Sequence, residues 1–374
     1  MLRRELLRCT SCACLAHSGI VKALVQVQPE KGLDTLARRT GRRFGFAVQP
    51  IHSDKDPVRN LLQQHAGVIT AELAMKWNIM SNFLGAPDYH AADQVAALAG
   101  SLGAALRGHT LAWHQSTPGH LRNATPEHFV TAQTAHMLAL MQRFKGRIHT
   151  WDVLNEVIDA NAADRQGMRQ SVLSKLWGTG RYPALFELAR ATDPSAKLAY
   201  NDYGMEQDEP WCEARRSILL RLLEAWVKRG TPIDAMGLQA HLDLSRRFSA
   251  QKLLRFFDEL QALGLSIQIT ELDVRDASNS GGLAARDAAI AALYKDFMDA
   301  CLCHPAVEMV VMWNVTDGDS WINRWNQGQR RSDGMLQRPL LFDGQGLPKP
   351  AFHAVATSLG EATVKFDPTN ARTV

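Results

Sequence analysis

An α/β fold of the (β/α)8 TIM-barrel type, in a single domain, is what this sequence predicts. Three observations predict it. Strand-like and helix-like segments alternate over almost all of the 374 residues, the pattern of a parallel sheet. Eight apolar, β-branched-rich runs can be read, the number that closes a barrel. Polar and aromatic residues gather where each run ends, the place where such barrels carry their chemistry.

The runs lie, in order, at 44–50, 67–72, 106–113, 148–156, 197–203, 235–242, 266–274 and 308–317. Each has an apolar body, from Phe44-Gly45-Phe46-Ala47-Val48 at the first to Met309-Val310-Val311-Met312 at the last, as strands buried on both faces require. Amphipathic stretches at 91–102, 126–145, 183–191, 213–229, 250–263 and 284–303 supply outer helices, and 351–359 reads as the last one. No Pro-, Gly- or Ser-rich linker and no repeat divides the chain.

Hydrophobic residues make up 46% and charged residues 21%, ordinary for a globular protein with a large core. The net charge of +4 is small and the basic residues are scattered, so no nucleic-acid partner is expected. No run approaches the ~20 apolar residues that span a membrane. A monomer is expected.

Residues 1–42 read as a leader, 43–360 as the barrel and 361–374 as a C-terminal tail. Arg3-Arg4 followed by Leu6-Leu7 resembles a bacterial twin-arginine export signal, which implies a periplasmic or extracellular protein. The stretch 9–27 is a poor apolar core for such a signal, interrupted by His17 and Lys22, with no clean cleavage site. Cys9, Cys12 and Cys14 lie in this leader, and Cys301 and Cys303 are too close for an ordinary disulfide, so the thiols read as small buried or free groups.

Glu156, closing Trp151-Asp152-Val153-Leu154-Asn155-Glu156, and Glu271, after Ile267-Gln268-Ile269-Thr270, stand at strand ends that only the barrel brings together. Glycoside cleavage needs such a pair: an acid for the leaving oxygen and a second carboxylate across the sugar ring, ~5–5.5 Å apart when it acts as nucleophile. Asn155 suits the sugar 2-hydroxyl, leaving Glu156 as acid/base. Glu271 suits the nucleophile, with His241 and Asp273 placed to hydrogen-bond it and keep it ionised. His109 and His114 would serve a metal only with further converging ligands. Their neighbours fit sugar binding better, so no metal and no cofactor is expected. His114 reads as a structural hydrogen-bonder, Trp77, Trp151 and Trp177 as packing, and Arg330-Arg331 as solvated loop charge.

These residues resemble glycoside hydrolase family 10, the β-1,4-xylanases. The resemblance runs through Gly108-His109-Thr110-Leu111-Ala112-Trp113-His114, the Trp151–Glu156 run and Ile269-Thr270-Glu271-Leu272-Asp273. Glu72 with Met75-Lys76-Trp77, Tyr200-Asn201-Asp202-Tyr203, Gly237-Leu238-Gln239-Ala240-His241 and Trp313 through Trp321 follow the same order, over roughly 43–358. The resemblance implies a retaining endo-1,4-β-xylanase acting on xylan or xylo-oligosaccharides. Lys76, His109, Trp113, Asn155, Gln239, His241 and Trp313 would hold the sugar before the scissile bond. Glu72 would bind the next sugar out, and Trp321 and Tyr203 would line the cleft, their faces suiting pyranose C–H groups.

Three positions depart from that pattern. Leu73 stands where the family usually has Asn, Gly204 where it commonly has Asn, and Asn314 where Gly is usual, with its side chain expected to point away. The first two leave open a preference for xylo-oligosaccharides, substituted xylan or β-glucosidic links. A xylan-binding protein without turnover is the remaining alternative, which the intact carboxylate pair argues against.

Overall fold

Strands form where the sequence concentrates apolar residues, and the order of the runs becomes the order of the barrel. The computed structural model describes residues 32–51, 56–81, 87–161, 167–324 and 331–362. The twin-arginine stretch, the leader cysteines, Arg330 and residues from 363 onward lie outside these. Strands are β1 (Arg43–Val48), β2 (Val68–Ala71), β3 (Ala105–Gly108), β4 (Ala112–Trp113) and β5 (Ile148–Asn155). They continue with β6 (Lys197–Asp202), β7 (Ala235–Leu238), β8 (His241–Asp243), β9 (Ser266–Arg275) and β10 (Val307–Met312). β4 and β8 are short extensions paired to β5 and β9. The other eight pair in parallel in chain order, and β10 closes the ring by pairing with both β9 and β1.

The expected runs at 106–113 and 235–242 are each two short strands. The first breaks after Gly108, where the His109–Thr110 peptide is cis, and the second at Ala240, whose φ is 60°.

The α-helices are α1 (Leu33–Arg38), α2 (Asp56–His65), α3 (Trp77–Met80), α4 (His90–Ser101), α5 (Pro126–Arg143) and α6 (Pro183–Thr192). They are followed by α7 (Pro210–Lys228), α8 (Ala250–Ala262), α9 (Leu283–Cys303), α10 (Trp321–Arg324) and α11 (Pro350–Glu361). α1 lies before residue 43, in the same compact unit as the barrel strands. Leu33, Leu36 and Ala37 are buried, and Asp34 Oδ1 accepts the Phe44 N–H of β1 at 2.9 Å. Six residues are too few to display a helical period. Trp77, Trp151 and Trp177 are packing residues as expected, and Cys212 and Cys301 are buried free thiols. Arg331, read as a solvated charge, is instead buried, with its Nη1 donating to the Asp276 carbonyl at 2.7 Å.

A polar column runs through the barrel. Lys197 pairs with Glu308 at 2.5 Å, Glu308 accepts from Gln268 at 2.8 Å, and Gln268 accepts from Arg107 Nε at 2.8 Å. Arg107 then grips Asp152 with two bonds of 2.8 and 2.6 Å. β3 and β9 are not neighbours in the ring, so the Arg107–Gln268 contact crosses the interior. Burial opposes ionisation of Asp152, but Arg107 and His109 outweigh it and hold its carboxyl below the ordinary aspartate value.

Arg107→Met leaves Asp152 buried without its main counter-charge and should destabilise the fold by about 3–5 kcal/mol. Urea unfolding measures this, and a loss below ~1 kcal/mol would show that the column contributes little to stability.

Candidate active site

Side chains from the C-terminal ends of the strands converge on one cavity of about 370 Å³. Both glutamates line it, as do Lys76, His109, Trp113, Asn155, Tyr203, Gln239, His241, Trp313 and Trp321. Glu72 and Asp273 alone among the expected site residues do not. Three non-glycine residues with left-handed backbone sit here: Glu156 (φ 57°), Ala240 (φ 60°) and Asn314 (φ 90°). L-residues pay in conformational energy for that region, and such outliers gather at functional sites.

Glu271 is buried, its Oε1 accepting from Asn201 Nδ2 at 2.8 Å and its Oε2 facing His241 Nε2 at 3.2 Å. Asp273 does not touch it, contrary to expectation, because its Oδ1 binds His241 Nδ1 at 2.9 Å and its Oδ2 binds Trp321 Nε1 at 2.7 Å. Its effect on Glu271 passes through the imidazole. Burial disfavours a charged His241, but the charge and hydrogen bond of Asp273, followed by Glu271, outweigh it and push the ring up to about 10. Burial likewise opposes ionisation of Glu271, and the hydrogen bond from His241 with the fields of His109, His241 and Lys76 holds its carboxyl below the ordinary glutamate range.

Glu156 is fixed differently. Trp113 Nε1 donates to its Oε2 at 2.8 Å and Gln239 Nε2 to its Oε1 at 2.9 Å. Arg169, which no sequence motif singled out, donates to the Glu156 carbonyl at 2.9 Å and to the Tyr203 hydroxyl at 2.8 Å. The two carboxylates are joined through amides: Gln239 reaches Asn155 Oδ1 at 3.4 Å, and Asn201 binds the same oxygen at 2.9 Å while holding Glu271. Asn155 thereby accepts twice, which leaves its Nδ2 for a ligand. Asn201 lay inside a quoted motif without a role. Gly237 makes its room, since a Cβ there would stand 2.3 Å from Asn201 Oδ1.

Lys76 Nζ lies 4.6 Å from the Trp113 ring centre and 5.9 Å from that of Trp313. Burial lowers its pKa, against the opposing fields of Glu271, Glu72 and Glu156. His109 Nδ1 binds Asp152 Oδ2 at 2.9 Å, so the barrel's polar column ends in the cleft. The ring of His109 meets Trp313 edge-on at 5.4 Å. His114, expected to hydrogen-bond, has a buried Nδ1 with no partner among the described residues and packs edge-on against Trp113.

Glu72 is 2% exposed, and Asn314 Nδ2 donates to its Oε2 at 2.5 Å. Asn314 Oδ1 accepts the Trp321 N–H at 3.0 Å, so this side chain points into the site's wall rather than away. Burial raises the Glu72 pKa, with Gln49 and Arg324 acting against it. Two other acidic residues at strand ends are scaffold. Asp202 is buried with Arg215 at 2.6 Å and accepts from Tyr200, and Asp317 anchors Lys349 at 2.9 Å. Gly204 leaves no gap: its φ is 75°, and the Trp211 ring lies 2.2 Å from where its Cβ would be. Among the described residues no group of three or more His, Cys, Asp or Glu is arranged to hold a metal ion.

Two carboxylates at strand ends, one held ionised and the other held by two neutral donors, form the constellation of a carboxylate-pair glycosidase. The sequence profile described as Glycosyl hydrolase family 10 matches residues 32–358. This chain belongs to that family and is a glycoside hydrolase. It is 30% identical to Endo-1,4-beta-xylanase C of Paenibacillus barcinonensis over 90% of its own length, spanning 32% of that relative. It is 28% identical to Endo-1,4-beta-xylanase 3 of Hypocrea jecorina, over 88% of this chain and 86% of that one. Among solved structures, xylanase 10B of Thermotoga petrophila in complex with xylobiose superposes with a TM-score of 0.79 at 28% identity, covering 88% of this chain and 97% of that one.

Asp273→Asn removes the main support of the charged His241 ring. The imidazole pKa then falls from about 10, and the Glu271 carboxyl, deprived of that donor, rises. The acid limb of the kcat/KM profile for glycoside hydrolysis should therefore move to higher pH. An acid limb in the same place would sink the relay from Asp273 to Glu271.

Proposed function

We propose that this chain is a retaining endo-1,4-β-xylanase that cuts internal bonds of xylan by double displacement. The observation that carries this reading is the unlike treatment of two carboxylates in one cavity. Glu271 is kept ionised by His241, while Glu156 is oriented by Trp113 and Gln239. Glu156 protonates the glycosidic oxygen as the Glu271 carboxylate attacks the anomeric carbon, and a glycosyl-enzyme ester forms. Glu156, now a carboxylate, takes a proton from water, which attacks the same carbon and releases Glu271.

Around the reacting sugar, Asn155 Nδ2 is offered to the 2-hydroxyl, and Lys76, His109, Gln239 and His241 supply polar contacts. Trp313, Trp113 and Trp321 present aromatic surface, and Tyr203 stands on the leaving-group side. The names of the two curated relatives given above, both endo-1,4-beta-xylanases, support xylan as the polymer.

The departures favour a specific variant of this reading. Leu73 offers no hydrogen bond, and Glu72 is buried with one oxygen taken by Asn314, so the second sugar before the scissile bond gains little polar binding. The enzyme then works on short xylo-oligosaccharides nearly as well as on polymer. Initial rates on xylotriose and on longer xylo-oligosaccharides check it: kcat/KM on xylotriose within about tenfold of that on the longer chains supports it, and a much steeper dependence on length rules it out.

Proton NMR of an aryl xylobioside digest should show the β-anomer first. Glu271→Ala should lower kcat by roughly 10⁴-fold or more. An α-anomer first product, or xylan left uncut by the wild type, would overturn the proposal.

A further inference from the structure

Beyond the catalytic pair, the cavity wall holds two arginines, Arg246 and Arg275. Arg275 ends β9, four residues past Glu271, and Arg246 follows β8. Both line the cavity, and neither side chain makes a salt bridge or hydrogen bond among the described residues. The Arg275 Nε is buried and unpartnered. Each guanidinium lies against an indole instead: Arg246 is 5.0 Å from the Trp211 ring centre and Arg275 is 5.2 Å from that of Trp321. A guanidinium held over an aromatic ring by its charge does not spend its N–H groups on that contact.

The nearby carboxylates make their hydrogen bonds elsewhere. Asp273 is engaged by His241 and Trp321, and Asp243 Oδ1 takes the backbone N–H and hydroxyl of Ser245 at 2.9 and 2.6 Å. Burial lowers the Arg275 pKa, and the field of Arg246 acts in the same direction against Asp273 and Asp243. Two like charges facing one partly buried cavity, with donors unspent, make a site for an anion. Gly204 contributes by its missing side chain, because the space it leaves seats Trp211, on which Arg246 rests.

We propose that Arg246 and Arg275 form a carboxylate-binding subsite on the leaving-group side of the cleft, which takes a uronic acid substituent on the xylan chain being cut. This rests on the xylanase reading above and adds the decoration of its substrate. A charged substituent there anchors the aglycone by charge-assisted bonds, so the enzyme prefers acidic xylan to its neutral counterpart.

The test compares kcat/KM on a uronic-acid-substituted xylan with that on the same polymer after its carboxyls are reduced to primary alcohols. The wild type should favour the acidic polymer by about tenfold, the worth of one charge-assisted hydrogen bond. In Arg246→Gln/Arg275→Gln the ratio should fall to about one, and free glucuronate in excess should erode the wild-type preference. A wild-type ratio of one overturns the subsite without recourse to any variant. So does a double variant that keeps the wild-type ratio, which would place the preference elsewhere. If neither polymer is cut, the xylanase reading falls and the subsite with it; cleavage of both at equal rates removes the subsite alone.

Discussion

The His241 imidazole between Asp273 and Glu271 is the contact on which the rest of the site depends. A carboxylate buried in a cavity tends to protonate, and a protonated carboxyl is no nucleophile. A charged ring 3.2 Å from Oε2 reverses that tendency, and Asp273 is what keeps the ring charged. The same Asp273 holds Trp321 by its indole N–H, so one buried aspartate acts on both the charge state of Glu271 and the position of an aromatic wall.

The scaffold serves this arrangement through two constraints. The polar column through the barrel delivers Arg107 and Asp152 to the underside of His109, so the histidine is oriented by groups anchored on three strands. The left-handed turns at Glu156, Ala240 and Asn314 aim side chains that a regular strand would direct elsewhere. At Glu156 the strain is countered by bonds to both faces of the residue: its N–H donates to the Asn201 carbonyl at 3.0 Å and its own carbonyl accepts from Arg169. Much of the rim is scaffold rather than binding surface, as Asp202 and Asp317 show.

The barrel was legible because parallel strands buried on both faces read as apolar runs, and the polar residues closing them mark the functional end. The meeting of Glu156 and Glu271 in one cavity was legible for the same reason. Short α1 escaped because a helix of six residues shows no period. Asn201, Arg169 and the Asn314 bond to Glu72 escaped because each role arises from tertiary meeting; the last joins residues 242 positions apart. Leu73 and Gly204 were visible as departures, but only the structure shows that Trp211 fills the space at Gly204.

The central claim is that Glu271 becomes covalently bonded to the sugar. Incubating the enzyme with a 2-deoxy-2-fluoro xylobioside bearing a good leaving group slows the release of the intermediate, and mass spectrometry of the digested protein locates it. The account predicts one added glycosyl mass, on the peptide that contains Glu271. Label on the Glu156 peptide, or turnover of the parent glycoside with no label anywhere, would contradict it.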